Sequence, residues 1–500
     1  MSASPAKAPG FLRSVLTLLG GNVLAQAVNV GSIPIITRLF APSAYGEFAL
    51  AFSCITVLAA LSHLRYNVPI MLPEAEEDAD ALTLLTLGLV TVFSLLLGIV
   101  VLSTPEPLRD LLGFQSTATI LLLPPGCLFC GFFLTLQVRN LRHKGFHRQA
   151  TAQVVGAVGS RSAVILCGLA GWAAPPVLAS MKPASDFLVA LVLAGDPRRG
   201  LRYGVFTRES VRRIPAMAKR YAQFPKYCGT DLVLSLNMEL PTFLLALHYD
   251  PVRVGLYNLA VRVLKQPGIV VGTAIGKSFF QHTAQERRRG RDIHAFALRV
   301  LEVNLTLYLF PAVLLWAFAP DLFGFVFGPE WAEAGVFVRI LLPVFLLTFT
   351  ALFTGTLLDT LGLQRERFLF SLLQITVTAA GFTLGAALDP SDNAHAALMG
   401  LSAGSSLTLA VRMVWVMGKA GVRAPELARR ILPPILVSAV LGAGFFTVRH
   451  LLAGHALATP AEIGLAALLL AGYLLLFHVL RFRKLLAQAR EPSKPSEESA

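Results

Sequence analysis

Apolar stretches of about 18 to 25 residues recur from one end of this 500-residue chain to the other. Each is long enough to cross a hydrocarbon core about 30 Å thick as a helix, and lipid leaves no water to satisfy an unpaired backbone N–H or C=O. Fourteen such spans are expected, at 13–36, 46–64, 81–103, 117–138, 150–172, 176–195, 228–248, 254–276, 296–319, 334–358, 367–388, 394–417, 431–448 and 461–480. The chain therefore reads as an all-α integral membrane protein with no large soluble domain left over. Its 14% of charged residues and mean hydropathy of +0.65 agree, since soluble domains are roughly a quarter charged. The opening MSASPAKAPGFLRS lacks a cleavable-signal pattern and leads straight into a span, which predicts a short cytosolic tail.

Charge gives the orientation, because Lys and Arg are retained on the cytosolic side of short loops. With the N-terminus inside, the inner segments carry Lys7, Arg13 and Arg65, four basic residues between Arg139 and Arg148, and nine between Arg198 and Lys226. Four more lie between Arg287 and Arg291, two at Arg365 and Arg367, four between Lys419 and Arg430, and five between Arg481 and Lys494. The outer loops carry only Arg38, Arg109, Arg253 and Arg449, so the asymmetry is 31 to 4 and both termini are expected in the cytosol. The net charge of +14 then faces anionic membrane lipids rather than nucleic acid. The acidic PEAEEDAD, through Asp80, is the one inner segment against the trend, and it reads as a solvated linker.

The middle of the chain echoes its beginning. Pro251, Gly255, Leu259 and Ala260 in DPVRVGLYNLA repeat the spacing of Pro42, Gly46, Leu50 and Ala51 in APSAYGEFALA, 209 residues apart. Transporters use such repeats to build two bundles around a central site. The expected domains are a six-helix bundle at 1–195, a basic cytosolic linker at 196–226, a second six-helix bundle at 227–418, and accessory helices 13 and 14 with a cytosolic tail at 419–500. The five cysteines lie in or beside apolar spans, and no second pair or histidine completes a metal site around Cys127 and Cys130, so packing is their expected role.

The segments GGNVLAQAVNVGSIPIITRLFAPSAYGEFALA at 20–51, LRYNVPIMLP at 64–73, YAQFPKY at 221–227, VGLYNLAVRVLKQPGIVVGTAIGKSFFQ at 254–281 and FGPEWAEAG at 327–335 carry a resemblance. They are similar to the oligosaccharide flippase (polysaccharide biosynthesis export) family of the multidrug/oligosaccharidyl-lipid/polysaccharide superfamily, in family order over some two thirds of the chain. The resemblance implies two six-helix bundles in a pseudo-twofold V and a cationic central cavity reached alternately from each side of a bacterial inner membrane. It further implies a polyprenyl-diphosphate-linked oligosaccharide as cargo, with polysaccharide polymerase and glycosyltransferase machinery as partners.

Ionisable residues inside a span are costly and mark cavities or partners. Asn258, Arg262 and Lys265 share one helix face at i, i+4, i+7, whereas the matching positions of the first copy are Ala49, Ser53 and Thr56. Such a stripe fits a diphosphate, or else it pairs with carboxylates on a neighbour or snorkels. Asn22, Gln26 and Asn29 form a polar stripe in the first span, suited either to sugar hydroxyls or to helix–helix contact. Asp231, Ser235 and Glu239 form another, and Asp231 and Glu239 are candidates for coupling a proton or sodium ion, or for ordinary ion pairs. Arg161, Lys182, Arg339, Asp359 and Arg412 stand singly on their helices as further cavity candidates. Pro34, Pro241 and Pro267 interrupt spans where hinges would serve alternating access, and Trp331 reads as an anchor in an outer loop.

No Walker-type glycine loop, zinc-ligand spacing or nucleophile motif occurs, so neither cofactor nor enzymatic chemistry is expected. Two other readings stay open. A cation-coupled multidrug or metabolite antiporter would depend on cavity carboxylates, and a membrane polymerase or ligase of lipid-linked glycans would need a large outer loop.

Overall fold

The structure, a computed structural model, describes residues 11–195, 207–266, 294–350, 362–389 and 393–452, with scattered positions within 354–358 and 464–476. The described residues are helical, with no strand among them. Eleven of the described helices are long and apolar enough to cross a membrane. Of the three other expected spans, 13–36 is broken into the helices Phe11–Gly31 and Ile33–Leu39, with Pro34 in the first turn of the second. The span at 254–276 is helical over residues 251–266 and then leaves the described residues, and that at 461–480 lies largely outside them. Pro267, Asp359 and the basic residues at 287–291 and 481–494 also lie outside them. Pro241 sits inside a continuous helix, Cys228–His248.

The chain forms two compact units: residues 1–266, 320–340 and 368–405, and residues 267–319, 341–367 and 406–500. The first is organised around the Pro42–Ser62 helix, which packs on Leu123–Arg142, Pro175–Ala179 and Cys228–His248. Pro42 starts it at a position where a missing N–H costs nothing. Every residue from Ala44 to Ala51 is buried. The reason lies in a reciprocal crossing of the two repeat copies. A Cβ on Gly46 would stand 1.9 Å from the Pro251 carbonyl oxygen, and one on Gly255 would stand 2.0 Å from that of Pro42. Proline contacts glycine in both directions, and only hydrogen at the glycine positions permits that approach.

Next to Gly46, the carboxylate of Glu47 is 1% exposed but well served. It accepts from the backbone N–H groups of Gln115 (2.8 Å) and Ser116 (2.7 Å) and from the Thr119 hydroxyl (2.5 Å). These are charge-assisted bonds that make burial of the charge tolerable and pin the segment before Thr117–Ile120. Trp331 departs from its expected anchoring role. It is 1% exposed, its indole N–H donates to the Thr37 carbonyl at 2.9 Å, and its ring meets Tyr45 edge-on at 5.4 Å. An apolar body with one polar tip suits a buried site only when a partner is in reach, and here one is.

The acidic stretch through Asp80 is likewise no idle linker. Glu76, Glu77 and Asp78 open the Glu76–Ser103 helix, where its dipole favours negative charge. Asp78 pairs with Arg213 at 2.9 Å, Asp80 with Arg139 at 2.8 Å, and Glu76 with Arg142 at 3.2 Å. The Asp78 pair fastens the Arg208–Arg220 helix, capped by the Thr207 hydroxyl accepting from Ser210 N–H, against Glu76–Ser103. Arg213 also holds Glu209, and these two carboxylate bonds push its guanidinium further above its ordinary range. Beneath that helix Met217 and Tyr221 pack with Tyr66, Ile70, Ala81 and Leu82. Tyr66 donates its hydroxyl to the Ala218 carbonyl at 3.1 Å, and burial pushes its phenol above the usual range, so it stays a donor.

In the second unit, Leu298, Leu301, Leu358, Met413, Val416, Met417 and Leu427 form a core. Its polar fastenings are His294 to Glu426 at 2.8 Å and Arg430 to Glu302 at 3.2 Å. Tyr473, from the last expected span, packs against Phe310 with the rings tilted and their centroids 4.5 Å apart.

Candidate functional site

Four segments of the first unit bring together charged side chains, among them Arg262 and Lys265, which the repeat left unmatched. Arg262, on residues 251–266, donates from Nη1 to the Tyr45 hydroxyl at 2.8 Å, and its guanidinium lies 5.2 Å from the ring centre of Phe48. Tyr45 and Phe48 flank the glycine crossing, so the same close approach that needs Gly46 also delivers an aromatic cradle for the cation. Arg161, on Phe146–Leu169, lies within electrostatic reach of Arg262 and donates to Ser160 Oγ at 3.0 Å. Lys265, one turn beyond Arg262, lies within electrostatic reach of both Arg262 and Glu239. Among the described residues none of Arg161, Arg262 and Lys265 closes an ion pair within 4 Å, so three cations share a region with one carboxylate. An excess of positive charge inside a lipid-spanning protein calls for an anion.

The carboxylate, Glu239 on Cys228–His248, accepts from Ser53 Oγ at 2.5 Å. Ser53 is the first-copy counterpart of Arg262, and both act as donors, Ser53 to Glu239 and Arg262 to Tyr45. Sequence reasoning missed Tyr45, Phe48 and Ser53. Tyr45 and Arg262 are 217 residues apart, and the only signal for their meeting was that the repeat motifs containing them could face each other.

The other expected site residues are distributed as follows. Asp231 pairs with Arg65 at 3.4 Å, two turns along the helix from Glu239. Asn29 donates to Gln26 at 3.3 Å within one stripe, Asn22 is exposed, and their helix packs on Phe146–Leu169. Asn258 is half-buried one turn before Arg262. Arg339 is half-buried on Ala332–Thr350, and Arg412 lies in the second unit with Arg367 in electrostatic reach. Lys182 is bonded to Asp186 on its own helix and stands 5.5 Å over the Phe52 ring. No cluster of three or more His, Cys, Asp or Glu able to hold a metal occurs among the described residues.

A family model described as polysaccharide biosynthesis protein matches residues 35–336, which includes the crossing and every residue of the cationic cluster. The chain belongs to the polysaccharide biosynthesis protein family. A curated relative of this family member is the succinoglycan biosynthesis transport protein ExoT of Rhizobium meliloti (strain 1021), 24% identical across 64% of each chain. The match thus spans less than two thirds of that relative's length. Among solved structures, the lipid II flippase MurJ in an inward closed conformation superposes with a TM-score of 0.72 at 11% identity, covering 95% of this chain and 100% of that one. An inward-facing multidrug resistance MATE family transporter of the MOP superfamily gives 0.62 at 16% identity, covering 79% and 94%. At these identities the likeness is one of fold. The polysaccharide biosynthesis family member is a multi-pass membrane protein with the helical fold of the MOP transporters.

Proposed function

We propose that the chain carries a polyprenyl-diphosphate-linked oligosaccharide, an O-antigen, capsule or exopolysaccharide repeat unit, across the bacterial inner membrane by alternating access. The observation that carries the reading is the cluster of Arg161, Arg262 and Lys265 on apolar helices in a polysaccharide biosynthesis family member. Guanidinium and ammonium groups within a membrane are what a diphosphate needs on leaving the headgroup layer. Two six-helix bundles, at 1–195 and 227–418, alternate in this scheme around the cargo, joined by the 196–226 linker and flanked by the accessory helices of 419–500. Asn258, Asn22, Gln26, Asn29 and Arg339 complete the substrate-facing set of the first unit, and Arg412 is a candidate within the second. The names of the transport relatives support a transporter rather than an enzyme, and a lipid-linked saccharide as its cargo.

Ion coupling falls to Glu239 in this scheme, because it borders the cationic cluster, whereas Asp231 is already engaged by Arg65. In proteoliposomes containing a polyprenyl-diphosphate-linked glycan, the wild type should flip the lipid faster under an imposed proton or sodium gradient. Glu239→Gln should retain downhill flipping and lose the response to the gradient. Failure of the wild type to move the lipid in either direction would refute the transport reading.

The charge asymmetry further orients the linker and both termini toward the cytosol. Single cysteines replacing the exposed Arg212 and Glu330 test this in intact cells. The first should resist an impermeant thiol reagent and the second should react, and the opposite pattern would invert the topology.

A further inference from the structure

Beside the cationic cluster a pocket of about 470 Å³ opens, lined among others by Phe52, His63, Asn67, Phe133, Asp231 and Ser235. We infer that it is a saccharide subsite, receiving the sugar nearest the diphosphate; the inference rests on the reading that Arg262 and Lys265 hold that diphosphate. Its position follows from two helices. Phe52 and Thr56 border Ser53, whose hydroxyl bonds Glu239, and Ser235 and Asp231 lie one and two turns from Glu239 on the same face. Eight residues of helix rise about 12 Å, so a ligand anchored at the cluster reaches the pocket without leaving that face.

The lining selects the chemical class. Asn67 brings a half-buried side-chain amide, both donor and acceptor, to the lining. His63 accepts on Nδ1 from the Arg65 backbone N–H at 3.1 Å, which leaves its Nε2 to carry the proton and donate. Ser235 adds a hydroxyl, Asp231 a carboxylate and Lys182 an ammonium. The two charged members are already paired within the protein, Asp231 with Arg65 and Lys182 with Asp186, so the lining offers a small ion no unbalanced charge. A neutral ligand with many hydroxyls is served by donors and acceptors together, and Phe52 and Phe133 offer apolar faces to the C–H side of a pyranose ring. The volume lies in the range of about 300–1,000 Å³ usual for small-molecule sites.

The experiment compares binding of four probes to the full chain in nanodiscs: bare polyprenyl diphosphate, and the same lipid carrying one hexose, one N-acetylhexosamine or one deoxyhexose. Wild type should bind at least one sugar-bearing probe about tenfold tighter than the bare lipid, as expected for one or two added hydrogen bonds. Asn67→Leu and Ser235→Val should each erase most of that gain while binding the bare lipid like wild type. Arg262→Ala should weaken all four probes. The subsite is overturned if no sugar improves on the bare lipid, or if the gain survives both pocket substitutions. If Arg262→Ala instead leaves all four unchanged, the diphosphate reading fails, and the subsite must then be judged on the pocket variants alone.

Discussion

Alanine at Gly46 or at Gly255 should cripple the protein although it adds one methyl group. The new Cβ would lie 1.9 Å from the Pro251 carbonyl oxygen in the first case and 2.0 Å from the Pro42 carbonyl oxygen in the second. Both obstacles are backbone atoms, which cannot swing aside as a side chain would, so the two repeat segments must move apart. Overpacking of this kind costs about 1–3 kcal/mol, and here separation would also withdraw Tyr45 from Arg262. Each single variant should therefore show a lowered thermal midpoint in detergent and reduced transport. The double variant should lose less than the sum, because one displacement relieves both contacts. Gly88→Ala is the control: it lies within Glu76–Ser103 with open space around the site, and alanine is the better helix former. A wild-type midpoint for both Gly46→Ala and Gly255→Ala would mean that the crossing is not close-packed.

Eleven of the fourteen expected spans are legible because lipid allows few alternatives to long apolar helices, and the repeat is legible because a close crossing admits only glycine at two matched positions. What escaped was decided by contacts between residues far apart in the chain. The acidic stretch looked like a linker because nothing local to Asp78 or Asp80 reveals Arg213 or Arg139. Trp331 looked like an interfacial anchor because aromatic residues near loops often are, yet its partner is a carbonyl 294 residues away. The charged stripe on residues 251–266 was visible from spacing alone, whereas the cradle of Tyr45 and Phe48 beneath Arg262 depends on the crossing. The pocket beside Asn67 gave no sequence signal, because its lining comes from helices far apart in the chain.

Removing Arg262 or Lys265 should produce the largest functional loss. Arg262 is held by one hydrogen bond to Tyr45 and by two aromatic faces, which orient its guanidinium while leaving other N–H groups for a ligand. A planar fork grips phosphate bidentately where an ammonium acts as a point charge, so Arg262→Lys should fall well short of wild type despite keeping its charge. Lys265 is balanced only partly by Glu239, which already accepts from Ser53. Loss of one charge-assisted contact costs about 1.5–3 kcal/mol, or roughly ten- to a hundredfold in affinity. The most direct measurement is the affinity of purified, correctly folded wild type, Arg262→Ala and Lys265→Ala for a polyprenyl-diphosphate glycan and for its uncharged polyprenol analogue. Wild type should prefer the diphosphate and both variants should lose most of that preference, whereas an undiminished preference in both would contradict a diphosphate site at this cluster.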